Sequence, residues 1–79
     1  MSQLPPTRIE KHSIVVAGHR TSVSLERAFW SALEDAAREE AVSITSLVSR
    51  IDGEREGNLS SAIRVFLLQR AQAVADRGT

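Results

Sequence analysis

The spacing of the apolar residues changes once along the chain, at Leu25, and this change restricts the folds that the chain can adopt. From His12 to Leu25 the sequence is rich in β-branched residues, which is typical of strands. After Leu25 the apolar residues recur three and four positions apart, as they do on one face of a helix: Phe29, Ala32, Leu33, Ala36 and Ala37. We therefore expect a mainly α fold with a short N-terminal β-ribbon.

Gly18 interrupts the strand-like segment. It predicts either a bulge in one long strand or, as we favour, a hairpin turn between strands at residues 13–16 and 20–25. Because side chains alternate along a strand, the second strand has a semi-apolar face and a polar, basic face. The semi-apolar face is formed by Thr21, Val23 and Leu25, and the polar, basic face by Arg20, Ser22 and Ser24.

Three helices are expected after the ribbon. The first should cover residues 26–40, and the second should begin after Ser43 as N-cap and end near Gly53. The third should be capped by Asn58 or Ser60 and extend to about Ala75. Residues 1–10 are predicted to form a flexible arm, residues 11–76 the folded domain, and residues 77–79 a frayed end.

Size and charge limit the functions open to the chain. With 79 residues and no cysteine, a single small core has neither disulfides nor thiolate metal sites to support it, so a partner chain is expected. Lys and Arg equal Asp and Glu at 10 each, so net charge gives no general attraction to nucleic acid. We see no transmembrane segment and no signal-peptide pattern, and we expect a cytoplasmic protein without a membrane partner.

Three strings in the chain resemble a known family. They are Ala-Gly-His-Arg-Thr-Ser-Val-Ser-Leu-Glu at 17–26, Phe-Trp at 29–30 and Gly-Asn-Leu-Ser-Ser-Ala-Ile-Arg at 57–64. They are similar to a bacterial subfamily of small ribbon-helix-helix proteins. The resemblance implies an intertwined homodimer in which two chains pair their strands into an antiparallel ribbon that enters the DNA major groove. The third helix is additional to the two helices of simpler family members, and further association of dimers on DNA is left open.

The resemblance assigns DNA-binding roles to particular residues. Arg20, Ser22 and Ser24 take the base-reading positions, and their chemistry suits this, because Arg can donate two hydrogen bonds to guanine. The phosphate site at the start of the second helix maps to Ser43, Ile44 and Thr45. If the second helix is an insertion, the site maps instead to Asn58, Leu59 and Ser60.

Other residues were assigned from their position and chemistry. Lys11 and Arg8 are expected to meet phosphates, and His19 to contact phosphate or to hydrogen-bond locally. The apolar run at residues 14–16 is expected to flank the central ribbon or cover its edges. Trp30 lies off the helical stripe and is expected to be half-buried, against the N-terminal strand or the partner.

We find no catalytic motif in the sequence and expect neither an enzyme nor a cofactor. His12 and His19 lack the Cys or acidic residues that would complete a metal site. The family resemblance, together with the polar face formed by Arg20, Ser22 and Ser24, implies a sequence-specific DNA-binding transcriptional repressor that binds DNA as a homodimer. The alternative is a protein-interaction module, antitoxin-like or an adaptor, that uses the same dimer to bind a protein partner.

Overall fold

The computed structural model describes residues 5–54 and 57–77 of the chain. Two strands precede three helices: β1 (Ile9–Val16), β2 (His19–Glu26), α1 (Arg27–Glu40), α2 (Ile44–Glu54) and α3 (Leu59–Arg77). The strands pair antiparallel in a two-stranded sheet. This order confirms the expected fold class, and it forms a ribbon within a single chain.

A two-residue turn joins the strands. Ala17 and Gly18 both have positive φ, of 53° and 80°, which is the backbone of the type I′ turns favoured in tight hairpins. The turn fixes a register in which Val16 faces His19 and Ile9 faces Glu26. The predicted hairpin is therefore confirmed over the alternative of a bulged single strand.

The first strand begins earlier than predicted, at Ile9 instead of residue 13. Residues 9–12 showed no apolar alternation because the inward-facing Glu10 and His12 are polar. Both find partners on α1: Arg27 donates to the Glu10 carboxylate at 3.1 Å, and the His12 ring lies 4.2 Å from the Trp30 ring. Residues 9 and 10, predicted as part of a flexible arm, thus belong to the sheet.

The segment before β1 caps α1. The backbone N–H of Arg27 donates to the carbonyl oxygen of Arg8 (2.8 Å), and that of Ala28 donates to the carbonyl oxygen of Pro6 (3.0 Å). The Glu26 side chain makes no capping hydrogen bond. Residues 5–8 therefore satisfy donors that a helix start leaves open. The rest of the predicted arm, residues 1–4, lies outside the described residues.

Side-chain caps begin the other two helices. The Ser43 Oγ accepts from the Ser46 backbone N–H at 3.0 Å, and the Asn58 Oδ1 accepts from the Ser61 N–H at 2.8 Å. These contacts confirm Ser43 and select Asn58 from the two predicted caps. Helix α3 includes Arg77, which was predicted to fray, while residues 78 and 79 lie outside the described part of the chain.

The inner face of the sheet packs on the helices and forms the core. It contributes Ile14, Val16, Val23 and Leu25, which meet buried residues of α1, α2 and α3. Trp30 was predicted to be half-buried and is only 3% exposed, because the sheet covers the side of α1 that carries it. Phe29 and Ala32, predicted in the core stripe, are only partly buried.

Candidate nucleic-acid interface

The outer face of the hairpin is polar at its centre. In the observed register, Lys11 lies directly opposite Ser24 and Ser13 directly opposite Ser22, and residues opposite each other share a face. Arg20 lies on the same face, opposite Val15. Lys11, Ser13, Arg20 and Ser22 are exposed and Ser24 is half-buried. The alternation predicted for Arg20, Ser22 and Ser24 is therefore present, and β1 adds two polar residues to it.

The charges of the helices are largely neutralised by ion pairs. Arginines on all three helices bind carboxylates at 2.9–3.2 Å: Arg27 with Glu10 and Glu34, Arg38 with Asp35, Arg50 with Glu40, Arg64 with Glu26, and Arg70 with Glu39. In the described part of the chain, the cations without such a partner are Arg8, Lys11, Arg20 and Arg77. Three of these four lie in or just before the hairpin.

The acidic residues of the hairpin are held by arginines. Arg64 on α3 donates to the Glu26 carboxylate at 3.1 Å, at the end of β2. A hydrogen bond from its own backbone N–H, together with that from Arg64, keeps the pKa of Glu26 below its ordinary value. Glu10 points toward the helices, where Arg27 binds it. The unneutralised charge on the outer face is therefore positive, although the whole chain is neutral.

Helix starts offer a second kind of anion site, because their first N–H groups lack intrahelical partners. The start of α1 is occupied by the carbonyl oxygens of Pro6 and Arg8. The starts of α2 and α3 are capped by the side chains of Ser43 and Asn58. Both mappings of the phosphate site thus correspond to real helix N-termini, at residues 43–45 and 58–60.

An open apolar groove runs between α1 and α3. Its lining residues are Ala28, Phe29, Ala32, Val65, Leu67, Leu68 and Ala71, with Arg64 at its edge. Val65 and Leu68 are 51% and 57% exposed, and the Arg64 guanidinium lies 5.7 Å from the centre of the Phe29 ring. Arg64, which lines the groove, also donates to Glu26 at the end of β2. Exposed apolar surface of this kind is typical of an interface.

The structure brings together some of the predicted site residues and separates others. Lys11 joins Arg20, Ser22 and Ser24 on one face. His19 is exposed, but its register opposite the buried Val16 assigns it to the other face. Ser43 and Thr45 are exposed, whereas the Ile44 side chain packs against the core. His12 stacks on Trp30, and no group of three or more metal-ligating side chains occurs among residues 5–54 and 57–77.

Sequence reasoning missed Ser13 and the groove. Ser13 was assigned to a short strand without a partner residue, so its face could not be inferred. The sequence of α3 did indicate the groove, because the apolar residues of this helix are not confined to one side. Ile63 and Leu67 are buried, while Val65 and Leu68 are exposed. A helix that is apolar on more than one side is usually covered on more than one side.

The family model of the ribbon-helix-helix domain matches residues 9–71. The chain belongs to the ribbon-helix-helix family. Domains of this family typically bind DNA as dimers and regulate transcription, and they are generally not enzymes. Membership of the narrower bacterial subfamily stays a prediction.

A similar solved structure is that of an uncharacterized protein from Bordetella pertussis Tohama I. It is 30% identical in sequence, has a TM-score of 0.78, and the match covers 92% of this chain and 62% of that one. The chain therefore spans less than two thirds of that relative's length. No curated protein matches the chain. None of the described helices is long and apolar enough to cross a membrane.

Proposed function

We propose that the chain is a sequence-specific DNA-binding repressor that acts in the cytoplasm as a homodimer. One observation carries the proposal: Lys11 and Arg20 project from the outer face of the hairpin with no carboxylate partner among residues 5–54 and 57–77, while the described helical arginines other than Arg77 are ion-paired. A neutral protein can bind a polyanion when its free cations are gathered on one face.

The polar residues predicted to contact DNA have roles that follow from their chemistry. Arg20 reads guanine by two hydrogen bonds, and Ser22 and Ser24 donate to or accept from neighbouring base edges. Lys11 binds phosphate, as does the start of α2 at residues 43–45, with the start of α3 at residues 58–60 as the alternative. The phosphate contact expected for His19 is not part of this interface, because its register opposite Val16 assigns it to the other face of the sheet.

The homodimer forms through the free edge of β2 and the apolar groove. An unpaired strand edge can pair with a second copy, and antiparallel pairing of β2 with its counterpart joins two hairpins into four strands. The Val65 and Leu68 side chains would be covered by the partner's helices. The two-fold symmetry of such a dimer requires an operator of two inverted half-sites. Light scattering should give twice 8.6 kDa, and a monomer at micromolar concentration would contradict this assembly.

Binding to the chain's own upstream DNA tests the proposal. Fluorescence anisotropy with a labelled upstream fragment, at two salt concentrations and with unrelated DNA as competitor, separates specific from non-specific binding. We expect retention that survives excess competitor and weakens as salt increases. Retention no stronger than that of unrelated DNA at low salt would exclude the proposed function.

The alternative is a protein-interaction module that uses the same dimer, and the exposed apolar side chains of Ile9 and Val15 on the outer face of the sheet favour it. In that case the outer face takes a protein partner instead of DNA. Affinity purification from the native extract, with and without nuclease, distinguishes the two functions. A single stoichiometric partner that remains after nuclease treatment supports the module, whereas recovery of nucleic acid alone counts against it.

A further inference from the structure

We infer that β1 lies along the rim of the DNA major groove, where Lys11 and Ser13 bind the sugar-phosphate backbone. Each chain would then supply one strand that reads bases and a second strand that binds phosphates. The inference rests on the proposed function, a DNA-binding dimer paired through β2, and adds to it a phosphate-binding strand. It is argued from the register of the hairpin, the width of the sheet and the charges around Lys11.

The width of the sheet determines where β1 can lie. Neighbouring strands are about 4.8 Å apart, so pairing of two hairpins through β2 places the two copies of β1 about 14 Å apart. The major groove is about 12 Å wide. Only the central pair of β2 strands fits between the two backbones, and the outer strands must lie over the rims.

In the observed register, the Lys11 and Ser13 side chains point to the face that would meet DNA. Lys11 and Ser13 project from the same face as Ser22 and Ser24, and each lies directly opposite one of these serines. A lysine ammonium is a point charge suited to a phosphate, and a serine hydroxyl can donate to a phosphate oxygen. Both side chains are exposed.

The charges around β1 favour a polyanion on that face. Glu10 is the acidic residue of β1, and it points to the other face, where Arg27 binds its carboxylate at 3.1 Å. Lys11 has no carboxylate partner among the described residues. The strand therefore presents an uncompensated positive charge outward and a neutralised negative charge inward.

The experiment measures the affinity of the full chain for its upstream fragment and for unrelated DNA across a range of salt concentrations. For Lys11→Ala we expect the slope of log Kd against log salt to fall by ~0.9 for each lost phosphate contact, or ~2 per dimer. Affinity for both DNAs should fall by the same factor. Lys11→Arg should retain the wild-type slope, because it keeps the charge.

Ser13→Ala should weaken binding to both DNAs equally and leave the slope unchanged, because a neutral donor displaces no counterion. Val15→Ala is the matched control on the same face of the same strand, and it should change neither quantity. All four substitutions are at exposed positions, and circular dichroism verifies the fold.

An unchanged slope in Lys11→Ala would overturn the inference, as would a loss of affinity confined to the upstream fragment in Lys11→Ala or Ser13→Ala. The second result would mean that β1 enters the groove and reads bases. If the wild-type chain shows no specific binding at all, the proposed function fails, and the inference fails with it. These outcomes are distinguishable, because the first two require a wild-type protein that binds.

Discussion

The indole Nε1 of Trp30 donates a 2.9 Å hydrogen bond to the backbone carbonyl oxygen of Glu10. This contact joins the first helix to the first strand, and the His12 ring packs on the same indole at 4.2 Å. The strand proposed to bind phosphates is therefore held by a buried side chain of α1.

Replacing Trp30 with Phe should remove this hydrogen bond while keeping an aromatic ring in the core. We expect the free energy of unfolding to fall by about 1–2 kcal/mol, because a carbonyl oxygen loses its donor and the smaller ring leaves space. Urea denaturation followed by circular dichroism measures the change without needing the Trp signal. His12→Ala is the control for ring packing alone, and it should lower the free energy of unfolding by less than Trp30→Phe does. An unaltered midpoint in Trp30→Phe would show that the bond does not stabilise the fold.

Arg20→Ala should weaken specific DNA binding. Loss of a bidentate contact to guanine typically costs about 1–3 kcal/mol, or roughly a 5- to 150-fold loss of affinity. Arg77→Ala is the matched control, because Arg77 is also exposed and without an ion pair in the described part of the chain but lies at the end of α3. Anisotropy on the upstream fragment and on unrelated DNA gives both affinities. Equal losses for the two variants would argue against base reading by Arg20.

Two aspartate substitutions can decide which helix start binds phosphate. Asp is a good N-cap, so Ser43→Asp and Asn58→Asp should both keep their helices stable. A carboxylate next to a bound phosphate repels it, so the substitution at the true phosphate site should weaken DNA binding. We expect Ser43→Asp to lose DNA affinity, measured by anisotropy, with thermal melting to verify that the fold is stable. A loss of DNA affinity in Asn58→Asp alone would assign the phosphate site to α3.

The Glu40–Arg50 pair should make the fold sensitive to acid. The hydrogen bond from Arg50 lowers the pKa of Glu40 below its ordinary 4.5, so the stabilisation is present above that pH and is lost as pH falls through the folded pKa. Glu26 contributes in the same direction, because its own backbone N–H and Arg64 lower its pKa. Urea denaturation from about pH 7 to about pH 3 should show a smaller loss of stability in Glu40→Gln than in wild type. Parallel profiles would contradict this role.

Ala41→Gly should stabilise the protein. Ala41 ends α1 in the left-handed conformation with φ of 56°, and its N–H donates to the Arg38 carbonyl oxygen at 3.1 Å. Glycine adopts this conformation without strain, so we expect a gain of about 1 kcal/mol in the free energy of unfolding. Ala73→Gly, at an exposed position in α3, should instead lower it by up to about 1 kcal/mol. A loss of stability in Ala41→Gly would refute the argument.

Local patterns in the sequence predicted the three helices, the caps at Ser43 and Asn58, and the outward face of β2. The early start of β1 could not be predicted, because residues 9–12 are stabilised by Arg27 and Trp30, which are distant in sequence. The full burial of Trp30 also depends on residues distant in sequence. The helical period defines the face on which Trp30 lies but not which element covers that face.

The charge pattern of the site needed the structure for a similar reason. Composition gives a neutral chain. The excess of positive charge on the outer face appears only when ion-paired side chains, such as Arg64 and Glu26, are left out of the count of charges, and these two residues are 38 positions apart in sequence. Lys11 could be assigned to the face of Arg20 only once the turn had fixed the register of β1.

The hairpin closed by Ala17 and Gly18 also determines which step carries the entropy cost of ordering β2. Its paired residues are at most 17 positions apart, from Ile9 to Glu26, so its loop closure is local and inexpensive in entropy. The strand proposed to read bases, β2, is thus paired within its own chain. Because the pairing that orders β2 is intramolecular, the entropy cost of ordering this strand belongs to closure of the hairpin and not to the binding of a second copy or of DNA.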